Sequence, residues 1–138
     1  MPEPPGESRV FSVLARPESV DAVCRLIGVS AGRRAPGGCA DVVEGCRDSL
    51  GSALADRPAP DLPDRDLEAL FGCPLTVAQL DGCIAGVLER GVATYGSSVG
   101  CEMPAPPPID TLALFATPQC LTVALFCPDL AASLAGGR

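Results

Sequence analysis

Eight cysteines stand in a chain of 138 residues that contains no histidine and no lysine. The cysteines decide how such a chain is stabilised, because they pair in an oxidising compartment and act as small apolar side chains in a reducing one. Without histidine the chain lacks the usual general base near neutral pH and the commonest nitrogen ligand of metals. Without lysine it lacks Schiff-base chemistry and the phosphate-binding residue of a P-loop. We therefore expect no catalytic, metal-binding or cofactor-binding residues.

The positions of the cysteines favour reduced, structural thiols. Cys24 and Cys46 fall in the apolar stripes of predicted helices, and no two cysteines show the CxxC spacing of a zinc ribbon. Residues 1–8 are acidic and proline-rich and lack the basic and apolar segments of a signal peptide. These features predict a cytoplasmic or nuclear protein, not a secreted one. A disulfide framework and a zinc site of four distant thiolates are the alternatives.

Two cysteines fall outside the predicted apolar stripes. Cys73 lies between Gly72 and Pro74 at a helix boundary, and Cys101 lies in a long irregular loop. Because loops expose side chains, Cys73 and Cys101 are the candidates for exposed thiols that react or pair. Neither has a basic neighbour that would stabilise a thiolate, so neither is predicted to be catalytic.

The charge of the chain limits the kinds of partner it can bind. Seventeen acidic residues outweigh ten arginines, and the formal net charge is −7. Nucleic acid requires a basic face, so no nucleic-acid binding is expected, and an anionic membrane surface is equally disfavoured. No membrane span is expected either, because Pro118 interrupts the longest apolar stretch. The absence of lysine and asparagine indicates a G/C-rich gene, such as that of a G/C-rich virus or an actinobacterium.

The pattern of apolar residues predicts a single α+β domain at 9–135, with a flexible leader at 1–8 and a flexible tail at 136–138. An N-terminal strand comes first, three to four helices follow, and a C-terminal β-hairpin completes a small sheet. The strand is predicted at 9–15, the helices at 17–28, 40–55, 64–71 and 75–90, and the hairpin at 109–116 and 120–127. A further strand could begin at 92–95.

The clearest local signal precedes the last of these helices. Thr76 and Gln79 have the spacing of a capping box, in which each side chain hydrogen-bonds to the other residue's backbone amide. Leu75 and Leu80 occupy the positions of a hydrophobic staple around that box. The helix is therefore predicted to begin beside Thr76.

Two patterns resemble functional motifs but lack the context that such motifs need. Residues 96–100 match GxSxG, with Ser98 in the nucleophile position, yet prolines follow instead of a helix and no histidine exists. A flexible turn is therefore predicted there. The acidic cluster lacks EF-hand spacing and is predicted to be a solvated, helix-capping segment; its members are Asp61, Asp64, Asp66 and Glu68.

Apart from Asp110 and two threonines, the two C-terminal runs are apolar on both faces of the predicted strands, which leaves more apolar surface than one small core can cover. Surplus apolar surface indicates a protein partner or self-association. The candidate interface residues are Leu112, Leu114, Phe115, Leu121, Val123, Leu125 and Phe126. The predicted function is that of a small intracellular, non-catalytic interaction or assembly module. An accessory protein of a G/C-rich virus would be one protein of this kind. The alternative is a small enzyme or ligand-binding protein whose site is built from Asp or Glu, Arg and Cys.

Overall fold

The computed structural model describes residues 6–55 and 57–134, and regular structure in these ranges is helical. The helices are α1 (Arg9–Leu14), α2 (Pro17–Ala31), α3 (Gly38–Ala55), α4 (Glu68–Phe71), α5 (Val77–Tyr95), α6 (Thr111–Leu114), α7 (Pro118–Phe126) and α8 (Pro128–Leu134). One turn of 3₁₀ helix, Gly32–Arg34, follows α2. Extended pairing in the described ranges is limited to isolated bridges between Glu7 and Asp61 and between Asp66 and Thr76. The predicted α+β fold is therefore wrong.

The described residues divide into two compact units, each assembled from separate stretches of the chain. The terminal unit comprises residues up to 12, residues 59–88, and residues from 110 onwards. The inner unit comprises 13–58 and 89–109. The single domain at 9–135 stays a prediction. Residues 1–5 of the predicted leader and the whole predicted tail lie outside the described residues.

The predicted N-terminal strand is wrong because its residues form α1. A short apolar run fits one face of a helix as well as a strand, so neighbouring polar groups decide between them. The hydroxyl of Ser8 accepts a hydrogen bond from the amide of Phe11 at 3.2 Å. The carboxylate of Asp81 accepts another from the amide of Arg9 at 2.8 Å. These two side chains satisfy the free amides at the start of the helix, which a strand would not present together.

The predicted C-terminal hairpin is also wrong, since α6 and α7 occupy its two runs. Thr117 resembles a turn residue in sequence but caps α7, because its hydroxyl accepts a hydrogen bond from the amide of Cys120 at 3.2 Å. Pro118 takes the first position of the same helix, where its missing N–H leaves no bond unmade. Asp110 caps α6 in the same way, accepting from the amide of Ala113 at 3.1 Å.

The predicted bounds agree with the structure at the start of α2 and at the ends of α3 and α4, whereas α4 begins at Glu68 instead of residue 64. Pro17 takes the first position of α2 as predicted, but the helix continues to Ala31. α5 continues to Tyr95, so the strand predicted to begin at 92–95 is instead helical. α4 ends at Gly72, whose φ of 69° lies in the left-handed region that glycine adopts without strain.

The predicted capping box at the start of α5 is confirmed. The amide of Thr76 donates to the side-chain oxygen of Gln79 at 2.9 Å, and the amide of Gln79 donates to the hydroxyl of Thr76 at 3.1 Å. Leu75 is fully buried in the hydrophobic core of the terminal unit, and Leu80 packs against that core. Two otherwise free amides are thus satisfied beside the buried Leu75 and the partly buried Leu80.

Replacing Thr76 with alanine removes the acceptor for the Gln79 amide. We expect Thr76→Ala to lower the free energy of unfolding by about 1 kcal/mol, and Thr76→Ser, which keeps the hydroxyl, to lower it much less. Urea unfolding of the oxidised protein, followed by far-UV circular dichroism, measures both values. Equal losses for the two variants would show that the hydroxyl does not stabilise the helix.

Candidate functional site

All eight cysteines are paired, and each disulfide joins two cysteines of the same unit. The Cα atoms of the pairs are between 4.5 and 5.7 Å apart, within the range that a disulfide spans. The pairs are Cys24–Cys46 and Cys39–Cys101 in the inner unit, and Cys73–Cys127 and Cys83–Cys120 in the terminal unit.

These disulfides overturn the prediction of a reducing compartment. Four disulfides indicate an oxidising environment, such as that of a secreted or extracellular protein, so the cytoplasmic or nuclear assignment is wrong. The position of cysteines on apolar helix stripes does not distinguish free thiols from disulfides. Two cysteines on facing stripes of neighbouring helices can pack as free thiols in a reducing compartment or form a disulfide in an oxidising one. Cys73 is buried and Cys101 is exposed, and neither carries a free thiol.

The disulfides make up much of each hydrophobic core. In the terminal unit four of the six buried core residues are half-cystines, and Leu75 and Val123 are the other two. In the inner unit the buried cluster is Cys24 with Val20 and Val43. Both clusters are small, so we expect the crosslinks, which restrict the unfolded chain, to contribute much of the stability of each unit.

Removal of the Cys24–Cys46 disulfide tests this dependence. We expect the double variant Cys24→Ala/Cys46→Ala to lose about 2–5 kcal/mol of unfolding free energy, because the unfolded chain gains freedom and the core loses two sulfur atoms. Thermal unfolding without reductant measures the loss, and Ser49→Ala, at an exposed position of α3, is the control. A double variant as stable as the control would mean that the bridge does not hold α2 to α3.

The structure exposes four of the seven candidate interface residues. Leu112, Leu121, Leu125 and Phe126 are 73%, 60%, 82% and 46% exposed. Val123 is 1% exposed and belongs to the core, against which Phe115 packs. Leu114 is half-buried. Consecutive side chains of a helix are distributed around its axis, whereas those of a strand alternate between two faces. This difference explains why some of the candidate residues are buried and others are exposed.

Helix α7 is apolar around most of its circumference, which is unusual for a helix at the surface. Cys120 and Val123 turn towards the core, whereas Leu121 and Leu125 lie one turn apart and are exposed. The segment from Pro118 to Phe126 contains no charged residue. A surface helix normally carries polar or charged residues opposite its buried stripe. We call Leu121, Leu125 and Phe126 the outer face of α7.

A second exposed apolar pair is linked to the end of α7 through a disulfide. Leu70 and Phe71 end α4, just before Cys73, and both are exposed. Cys73 is bonded to Cys127, which directly follows Phe126, and their Cα atoms are 5.5 Å apart. Chain geometry alone then keeps the Cα atoms of Phe71 and Phe126 within about 17 Å of each other. The bridge therefore limits how far the end of α4 can lie from the end of α7.

The alternative site, one built from Asp, Arg and Cys, corresponds to a groove in the inner unit. Arg25 and Arg47 line the groove, which has a volume of about 330 Å³, and both form ion pairs with Asp21. Arg25 also donates to the backbone carbonyl of Val99 at 3.0 Å. Cys101 lines the groove as half of a disulfide. Both cations are therefore engaged within the fold, and the only cysteine lining the groove has no thiol with which to attack a substrate.

The two motif-like patterns have structural roles. Ser98 lies in the turn after α5, where its hydroxyl donates to the carbonyl of Tyr95 at 3.1 Å. The acidic side chains between 61 and 68 are exposed, and Asp66 accepts a hydrogen bond from the amide of Glu68 at 3.3 Å. Across residues 6–55 and 57–134, no three metal-ligating side chains are grouped to hold an ion. No helix described there combines the length and the apolar character needed to cross a bilayer.

No known protein family, curated protein or solved structure matches this chain. A functional proposal has to start from its own residues, among which the exposed leucines of α7 depart furthest from an ordinary protein surface.

Proposed function

We propose that the protein is a non-catalytic interaction module that binds another protein through the outer face of α7. The observation that carries the proposal is the exposure of Leu121 and Leu125 on a helix without a single charged residue. Single apolar residues scattered on a surface need no explanation, whereas several large ones on one short helix mark a binding surface. Each leucine that a partner buried completely would contribute about 1.5–3 kcal/mol to binding.

Helix α7 is also held in place before any partner arrives. Cys120, in its first turn, is bonded to Cys83, and Cys127, directly after its last residue, is bonded to Cys73. Binding therefore does not have to order the backbone of this helix, which removes one of the main entropic costs of association. A rigid helix presenting exposed leucines is well suited to recognition and offers nothing to acid–base or nucleophilic catalysis.

The double variant Leu121→Ser/Leu125→Ser tests the proposal. Peptides selected from a random display library on the oxidised wild-type protein should bind this variant at least about tenfold more weakly, because two buried apolar contacts are lost. Ile27→Ser is the matched control, since Ile27 is an apolar residue of α2 that is 44% exposed. It should leave the affinity of the same peptides unchanged.

Circular dichroism and thiol counting establish that both variants keep the helices and disulfides of the wild type. If the selected peptides bound the leucine double variant as tightly as the wild type, the outer face of α7 would not be the binding surface. Loss of affinity in the Ile27→Ser control instead would move the surface to α2.

A further inference from the structure

We infer that the partner of the α7 outer face is a cationic, amphipathic segment of another protein, an inference that rests on the proposed function. The apolar face determines where binding takes place, and the distribution of charge over the chain determines what binds. The net charge of −7 is divided very unequally between the two units.

The terminal unit carries nearly all of the excess negative charge. Its described residues include eight acidic side chains and two arginines, Arg9 and Arg65, which gives a formal charge of −6. The described residues of the inner unit include seven acidic side chains and seven arginines, so that unit is neutral. The exposed leucines of α7 therefore lie in the strongly acidic unit.

Acidic residues also precede the exposed apolar pair of α4 in the chain. Asp61, Asp64 and Glu68 are exposed and lie within the ten residues before Phe71, the last residue of α4. The disulfide from Cys73 to Cys127 keeps the Cα atom of Phe71 within about 17 Å of that of Phe126, the last residue of α7. An apolar centre with a charged rim is the usual anatomy of a protein interface, and the rim selects partners of opposite charge.

The same charges disfavour the two other occupants of an apolar face. A second copy of the chain would bring one acidic unit against another, and like charges across an interface weaken association. Anionic lipid headgroups would be repelled in the same way. A helix with lysine or arginine on one side and apolar residues on the other satisfies both the leucines of α7 and the acidic rim.

Two designed helical peptides test the inference on the full-length, oxidised protein. Both peptides carry leucine at the same positions along one helical face. The remaining positions are occupied by lysine in one peptide and by glutamate in the other. By fluorescence anisotropy the lysine peptide should bind at least about tenfold more tightly than the glutamate peptide, because only it complements the acidic rim. Its affinity should also fall several-fold between about 0.01 M and about 0.3 M salt, because salt screens exposed charges.

Two charge variants locate the effect. The triple variant Asp61→Asn/Asp64→Asn/Glu68→Gln should weaken binding of the lysine peptide by about fivefold or more, because rim charges near the site attract it. The control, Glu18→Gln/Glu44→Gln/Asp48→Asn, removes the same number of exposed acidic charges from the inner unit and should change the affinity less than about twofold, because these charges do not belong to the unit that carries the outer face of α7. Equal weakening in the two variants would attribute binding to net charge and overturn the inference.

The remaining outcomes separate this inference from the proposed function. Equal affinity for the lysine and glutamate peptides, with both lost in Leu121→Ser/Leu125→Ser, would overturn the cationic partner and leave the binding face intact. Unchanged binding of the lysine peptide to that double variant would contradict the binding face as well. A dimer in sedimentation that Leu125→Ser dissociates, or displacement of the peptide by phosphatidylcholine vesicles, would replace the cationic segment by a second copy or by lipid.

Discussion

Two covalent crosslinks in each unit supplement a small aliphatic core, and in the terminal unit they hold helices too short to be stable alone. α4 and α6 have four residues each and α8 has seven, well below the length at which an isolated helix is stable in water. Tertiary packing must therefore hold them, yet Leu75 and Val123 are the only large aliphatic side chains fully buried in the structure's described part. Half-cystines fill four of the six buried positions in the core cluster of the terminal unit and restrict the unfolded chain at the same time.

The same crosslinks explain how α7 can remain apolar on its exposed side. An apolar helix attached only by packing could rotate to bury its leucines, because each one gains free energy on leaving water. The disulfides at Cys120 and Cys127 fix which side of α7 faces the core, and Leu121 and Leu125 consequently stay outside. Stability and exposure therefore have a common origin, and the acidic residues of the terminal unit provide the solubility that exposed leucines reduce.

Local polar signals made part of this fold predictable from the sequence. Thr76 with Gln79, and Pro17 at a first helical position, mark helix starts by hydrogen bonds and backbone angles that depend on only a few residues. The C-terminal runs could not be assigned in this way, because segments that are apolar at nearly every position have no periodicity to distinguish helix from strand. The sequence of Thr117 and Pro118 is typical both of a turn and of a helix start. In the structure the threonine hydroxyl accepts the capping hydrogen bond of a helix start.

The candidate site was predictable in its location but not in its division into buried and exposed residues. Leu121, Leu125 and Val123 all belong to one apolar run, and only the rotation of α7 separates the exposed leucines from the buried valine. The disulfides could not be derived either, because pairs such as Cys39 and Cys101, 62 residues apart, come together only through the tertiary structure. Charge could be counted from the sequence, but its concentration in one unit required knowledge of which stretches of chain pack together.

Disulfide connectivity is the measurement that tests this structure most directly. The protein is recovered from its native compartment, its free thiols are blocked, and it is digested without reduction for mass spectrometry of the linked peptides. We expect no blocked thiol and the links Cys24–Cys46, Cys39–Cys101, Cys73–Cys127 and Cys83–Cys120. Free thiols, or a link that joins a cysteine of the terminal unit to one of the inner unit, would contradict the two-unit structure and the fixed orientation of α7.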